Sequence, residues 1–422
     1  MLFVCPYQAV SRVNVVNNHS IDEVSVYPYY DSPFGRSSET SILLARRIQR
    51  IWCARCRLPP TLALPPEILL RVIHYLLPEP SHLPFDKRSA ILRDLCLVNR
   101  TWQAVAQPEL FIHPVLAWWG QERRFLTTLE ERVELGEMTK VLRVGDARGG
   151  RSVPAPPFKL GRLLELCPTL REFHLAQMSS VSSPDFLKAE ILRELWCSNL
   201  SFSSSHITSF PTLSYLRQLS FYNCDLSSLP SNFLSPTTLP SLRTLALRHL
   251  TDPCSTSILS LILPQLTSLS TDSQHRLALS PFISTATSLR LISVTGDTAA
   301  DLVGHLTIPL QYLHIPRWQE RQPPGTHLNL DQEPLVTLIK ECEEKGTLNT
   351  KTTLVICQGF RKHNAIEDVC HKRGIGLRSE RELFGDGGEE MSRFAEIRKK
   401  CGDDGQVTFW KLVEQLDGEE LV

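Results

Sequence analysis

The sequence predicts an α/β chain: a small helical module near its front, then a solenoid of strand-and-return units whose strands form one parallel sheet on a concave face. Three observations predict it. Between Leu64 and Phe111 two short helical patterns, each with one apolar face, stand side by side. From Leu170 to Ile315 the frame Leu-x-x-Leu-x-Leu, with apolar replacements, returns seven times, its first residues 22, 24, 26, 24, 23 and 21 positions apart. Pro168, Pro211, Pro240, Pro264 and Pro309 lie within a few residues before the predicted strands and bias the chain out of helix there.

The first helix is read from Leu64-Pro65-Pro66-Glu67-Ile68-Leu69-Leu70-Arg71-Val72-Ile73-His74-Tyr75-Leu76-Leu77. Proline costs little in a first helical turn, where its missing N–H would have had no partner, and Glu67 complements the positive helix start. The helix is expected to begin at about Pro66. Leu69, Val72, Ile73, Leu76 and Leu77 recur at steps of three and four and share one face, which Ile68 widens. After a polar interruption, Leu95, Val98, Trp102 and Val105 repeat the arithmetic, with Leu97 and Ala106 beside them. Pro108 is expected to stop that second helix, inside which Asn99 falls.

The opening Leu-Pro-x-Glu-Ile-Leu at 64–69 and the close Leu-x-x-Leu-x-Leu-Val-Asn-Arg-x-Trp-x-x-Val-Ala at 92–106 resemble the F-box. The resemblance covers residues 61–115 and departs from the family in the insert from Pro78 to about Ser89, which is longer than the usual connection. An F-box implies docking on the small adaptor of SCF-type cullin-RING ubiquitin ligases, and through it on a cullin. The side chains implied in that contact are Leu64, Pro65, Ile68, Leu69, Val72 and Leu76 of the first helix and Leu95, Leu97, Val98, Trp102 and Val105 of the second. Some of these must form the module's own core.

The repeat spans 116–332. Its units are Leu170-Phe173-Leu175, Leu192-Leu195-Cys197, Leu216-Leu219-Phe221, Leu242-Leu245-Leu247, Leu266-Leu269-Thr271, Leu289-Ile292-Val294 and Leu310-Leu313-Ile315, with a weaker copy at Leu142-Val144. One unit, Leu216-x-x-Leu219-x-Phe221-x-x-Cys224-x-Leu226, is complete, and elsewhere the Cys224 position holds Met178, Leu200, Leu250 or Gln274. The pattern resembles a degenerate leucine-rich repeat. Helical returns are expected at 160–167, 257–263 and 297–306. Strand alternation then turns the neighbours of the buried positions to the concave side. These are Arg143, Glu172, His174, Glu194, Trp196, Gln218, Ser220, Tyr222, Arg248, Asp272, Tyr312 and His314, the candidate substrate-binding residues. Trp196, Tyr222 and Tyr312 lead them because aromatic residues anchor interfaces; the alternative is that they pack under neighbouring loops.

Residues 1–60 mix Tyr, Pro, Asn and Ser with little period and are expected to be mostly unordered, with a basic helix near 41–52. Cys53 and Cys56 form a Cys-x-x-Cys without the second pair that a structural zinc site requires. Residues 333–422 are expected to cap the stack. Helices are predicted at 333–345 and 365–372, the latter ended by Gly374, and strands at 353–357 and around Ile375 and Leu377. A last helix at 407–416 is expected to dock on the cap, or else to be a separate partner motif.

Apolar residues make up 42% of the 422-residue chain and charged ones 21%, ordinary values for a globular protein. Lysine plus arginine equals aspartate plus glutamate, at 45 each, so no global field favours nucleic acid or an acidic membrane. No apolar run is long enough to span a bilayer and the front lacks a secretory pattern, so a cytosolic or nuclear location is expected. Twelve scattered cysteines suggest no disulfide framework. There is no nucleophile elbow, phosphate loop, dinucleotide fingerprint or His-Glu-x-x-His, so no catalytic residue, metal or cofactor is expected. The chain is expected to be a non-catalytic substrate receptor of an SCF ligase, or alternatively an adaptor-tethered scaffold that does not drive degradation.

Overall fold

The computed structural model describes residues 64–77, 85–116, 119–145, 159–176, 181, 186, 189, 191–202, 210–230, 232–250, 256–272, 279–295, 299, 302–316, 333–356, 364–379, 382–383 and 404–419. The predicted basic helix near 41–52 and the Cys53–Cys56 pair lie outside these residues.

Among the described residues eleven short strands form one sheet, parallel throughout and ordered as in the chain. They are β1 Val115–Leu116, β2 Val141–Val144, β3 Glu172–Ala176, β4 Glu194–Ser198, β5 Gln218–Tyr222, β6 Thr244–Arg248, β7 Ser268–Thr271, β8 Leu291–Ser293, β9 Tyr312–Ile315, β10 Thr353–Ile356 and β11 Gly376–Ser379. The register stacks like on like: Phe173, Leu195, Leu219, Leu245, Leu269, Ile292, Leu313 and Leu354 oppose one another from strand to strand. All eight are buried. This column, the leading leucines of each unit and the returns between strands form one apolar core along one face of the sheet. The layout is solenoid-like, because each unit buries its apolar side only against its neighbours.

The turns into and out of the strands repeat as well. The carbonyl before each of β2 to β8 accepts two N–H groups of the next unit: Arg193 from Arg217 and Gln218 at 2.8 and 3.0 Å, Arg217 from Arg243 and Thr244 at 2.8 and 2.9 Å. After β4, β5 and β6 the chain leaves through one left-handed residue, Asn199 (φ 52°), Asn223 (φ 49°) or His249 (φ 51°). Asparagine and histidine tolerate that region better than most side chains. Cys224 follows one of these turns, and its buried thiol donates to the carbonyl of Cys197 at 3.4 Å, so it ties two units together.

Among the described residues the α-helices with full bounds are α1 Pro66–Leu76, α2 Phe85–Cys96, α3 Arg100–Ile112, α4 Trp119–Glu131, α5 Val133–Met138, α6 Leu160–Leu166, α7 Thr256–Ile262, α8 Glu333–Glu344, α9 Asn364–Arg373 and α10 Asp404–Glu419. α1 starts where the prolines place it. The single second helix expected up to Pro108 is instead two, α2 and α3. Asn99 is not inside a helix but caps α3, its side-chain oxygen accepting the N–H groups of Thr101 and Trp102 at 2.9 and 3.0 Å. An asparagine satisfies two otherwise orphaned donors there, which favours a break over continuation. Pro108 does not stop α3, which runs on to Ile112; Leu110 and Phe111 in that last turn are buried, and their packing outweighs the one lost hydrogen bond.

The helical module runs into the sheet without a gap. Phe111 stacks on Phe125 of α4 with ring centres 5.6 Å apart. The Thr139 hydroxyl donates to the Phe111 carbonyl at 2.9 Å, and the Lys140 N–H to that of Ile112 at 3.0 Å. At the far end, β10 and β11 carry the sheet past residue 332, pairing in register with β9 and with each other. The expected closing elements are therefore two further strand-and-helix units, and Gly374 (φ 69°) ends α9 as expected.

Candidate functional site

The structure sorts the module's implied contact residues by exposure. Leu64, Leu69, Leu95 and Trp102 are buried within the chain. Ile68, Val72, Leu76, Val98 and Val105 are half-buried, and Pro65 and Leu97 are exposed. On α1 the burial splits one apolar arc in two: Leu69, Ile73 and Leu77 point inward, while Ile68 and Val72 touch the core with one side only. Tyr75, at i+7 from Ile68, continues that outer line at 88% exposure, and Leu97 at the α2–α3 turn is 53% exposed. Tyr75 was missed by the periodicity because it lies one step outside the core stripe; its signal was an aromatic beside a half-apolar line.

An ion pair ties two helices of this module together. The buried Arg88 guanidinium donates to Glu109 at 3.1 Å, joining α2 to α3. Burial pulls Arg88 below its ordinary value, an effect Glu109 opposes.

The candidate substrate-binding residues of the repeat lie on the second face of the sheet, opposite the core. One row crosses it in register: Arg143, His174, Trp196, Ser220, Ala246, Ser270, Ser293, His314 and Val355. Large side chains stand towards its ends and small ones between. Into this face packs α10. Phe409, Trp410, Leu412, Val413 and Leu416 of that helix form a cluster with Trp196, Ala246, Leu291, Tyr312 and Val355, separate from the main core. Trp410 lies on Trp196, ring centres 4.3 Å apart. Trp196 in turn stacks on His174 at 5.3 Å, which contacts the Glu172 carboxylate at 2.6 Å. The tail helix thus covers the face from β4 to β10 and is not confined to the cap.

On this face Arg143, His174, Trp196, Gln218, Ser220, Arg248, Asp272, Tyr312 and His314 are buried, and Glu172, Glu194 and Tyr222 half-buried. Several candidates have internal partners. Arg248 donates to the Ser270 and Ser293 hydroxyls at 3.0 Å each, and Ser293 meets His314 Nδ1 at 2.9 Å, a polar chain across β6 to β9. The Asp272 carboxylate accepts the His249 N–H and so holds the left-handed turn after β6. Tyr222 stands edge-on to His249, ring centres 5.2 Å apart.

A cationic edge also escaped the reading of net charge. Lys140, Arg171, Arg193, Arg217 and Arg243 occupy the same place before five successive strands, all exposed. A chain of zero net charge can still carry a local basic row. The described cysteines are buried, and burial raises the thiols of Cys167, Cys224 and Cys342 to about 12 and Cys370 to about 11, which keeps them unreactive near neutrality. Among the described residues no cluster of His, Cys, Asp or Glu is placed to hold a metal ion, and no helix is long and apolar enough to cross a membrane.

No protein-family model matches the sequence, and no curated protein is significantly similar to it.

Proposed function

We propose that the chain is the non-catalytic substrate receptor of an SCF-type cullin-RING ubiquitin ligase, its F-box on the adaptor and its leucine-rich-repeat-like half on a protein substrate in the cytosol or nucleus. The observation that carries the reading is the outer apolar line of the helical module. Pro65, Ile68, Val72, Tyr75 and Leu97 stay partly or fully uncovered on a module whose core is already complete. An aliphatic or aromatic line left open beside a finished core marks an interface. The reading needs no bond-making group in this chain. Holding a lysine-bearing substrate near an activated ubiquitin makes transfer effectively intramolecular, and that gain is positional.

The test is co-purification of the SCF adaptor with the full chain and with a Tyr75→Asp, Leu97→Asp variant. Both side chains are exposed, so the variant keeps its fold while the adaptor signal falls at least about tenfold, the scale of one buried anchor. Equal recovery of adaptor with both chains overturns the proposal.

A further inference from the structure

We infer that the second face of the sheet is a groove for an amphipathic helix of a partner protein, and that α10 is the groove's resident competitor, released when that helix binds. This deepens the proposed function by naming the partner's chemistry, and it rests on reading the stack as the partner-binding half.

The face is built unlike a core. Its middle row over β5 to β8 is Ser220, Ala246, Ser270 and Ser293, flanked by Gln218, Thr244 and Ser268 in the row beside it. Small and hydroxyl side chains leave a trough that a helix can enter and that water can also wet. The apolar positions are few and placed as contact points: Trp196 on one side, Leu291 and Tyr312 on the other, with Val355 beyond. Uncovered, they would form an apolar patch rimmed by polar groups, the signature of a binding site.

The resident helix fits this trough imperfectly. Among the described residues the buried indole N–H of Trp410 has no hydrogen-bond partner, and neither has the buried side-chain oxygen of Gln218. Gln218 reaches Asp417 of α10 only at 3.4 Å. Each orphaned polar atom opposes burial, so a partner helix offering an acceptor near the first and a donor near the second would outbind α10. The connection permits exchange: residues 384–403 separate α10 from the preceding described residue, Leu383, a length that keeps a released helix at roughly millimolar effective concentration. The ligand class follows from the occupant. It is a helix with two adjacent aromatics followed by aliphatics three, four and seven positions after the first, as in Phe409, Trp410, Leu412, Val413 and Leu416.

The experiment uses the full chain and, as probe, a fluorescent peptide of residues 404–422. Three proteins are compared: the wild type, a Trp410→Ala, Leu416→Ala variant, and a chain carrying a protease site within 384–403, cut after purification. The peptide is expected to bind the variant and the cut chain at least tenfold more tightly than the wild type, and Ala246→Arg, which fills the trough, abolishes binding. Hydrogen exchange on the wild type reads the same equilibrium, with α10 amides exchanging well before those of β5 to β8. Equal peptide binding by all three proteins, no binding by any, or α10 amides as protected as the sheet overturns the inference. Adaptor recovery with the same proteins is measured in parallel. If it fails while the peptide binds, only the ligase reading falls; if it holds while the peptide does not bind, only the groove does.

Discussion

The two faces of the sheet are made by alternate residues of the same strands, yet they are different kinds of surface. On one face leucine follows leucine in register and the units' own returns close it, so nothing can leave without unfolding the stack. On the other, serine, alanine, histidine and arginine share the rows with a few aromatics, and one helix from the far end of the chain lies across them. A repeat can therefore keep its stability on one side and leave the other free to specialise, because strand alternation separates the two requirements residue by residue.

The comparison is broken most forcefully on the core face. Phe221→Ala should cost about 3–5 kcal/mol in urea unfolding, the usual range for emptying a buried aromatic site. Trp410 is just as buried, but its loss should shift the main unfolding transition by roughly 1 kcal/mol or less, because the helix can leave as a local unit. Equal losses at the two sites would make the faces equivalent. The helical module offers the same contrast in miniature: Leu69→Ala should destabilise by about 2–5 kcal/mol, whereas Tyr75→Ala should stay within about 0.5 kcal/mol and, under the proposed function, weaken adaptor recovery instead.

Two smaller effects sharpen the picture through pH. His113 lies at the seam between module and stack. Its burial, then the Arg88 charge, holds it at about 4 against an ordinary 6.5, with Glu172 opposing and Arg143 and Lys140 adding to the depression. The unfolded chain takes up the proton first, so stability is intact above pH 6.5 and is lost as pH falls towards about 4. His113→Gln should flatten the acid limb of a plot of urea midpoint against pH. Glu122 is raised by burial to about 7 from 4.5. The folded chain holds that proton longer, so its contribution is present below pH 4.5 and is lost as pH rises through about 7. Glu122→Gln should flatten the alkaline limb of the same plot.

Much of this was legible in the residues, for identifiable reasons. Leucine spacing placed the seven expected strands, because only a buried alternate position demands an apolar side chain in every unit. Pro65 and Pro66 marked the start of α1, since proline has few other places in a helix. The break at Asn99 was not legible, because an apolar stripe reads straight through a cap; the asparagine itself was the signal. The destination of α10 was hidden for a deeper reason. Phe409, Trp410, Leu412, Val413 and Leu416 announce that a face is covered, and nothing in their spacing says by what. Trp196 and Tyr312 share one side of the sheet, but which surface meets them depends on a helix nearly a hundred residues beyond Tyr312.

The unbroken run of strands has a mechanical consequence. Neighbouring strands stand about 4.8 Å apart, so the seven or eight steps from β1, which abuts the helical module, to β8 and β9 under α10 measure roughly 35 Å along the sheet. The shared carbonyls between units and the Thr139 and Lys140 bonds at the first strand leave little slack in that span. Whatever sits over β8 and β9 is therefore held at a fixed reach from whatever grips Tyr75 and Leu97, as on a ruler, and inserting or deleting one whole unit would change that reach by a single strand spacing.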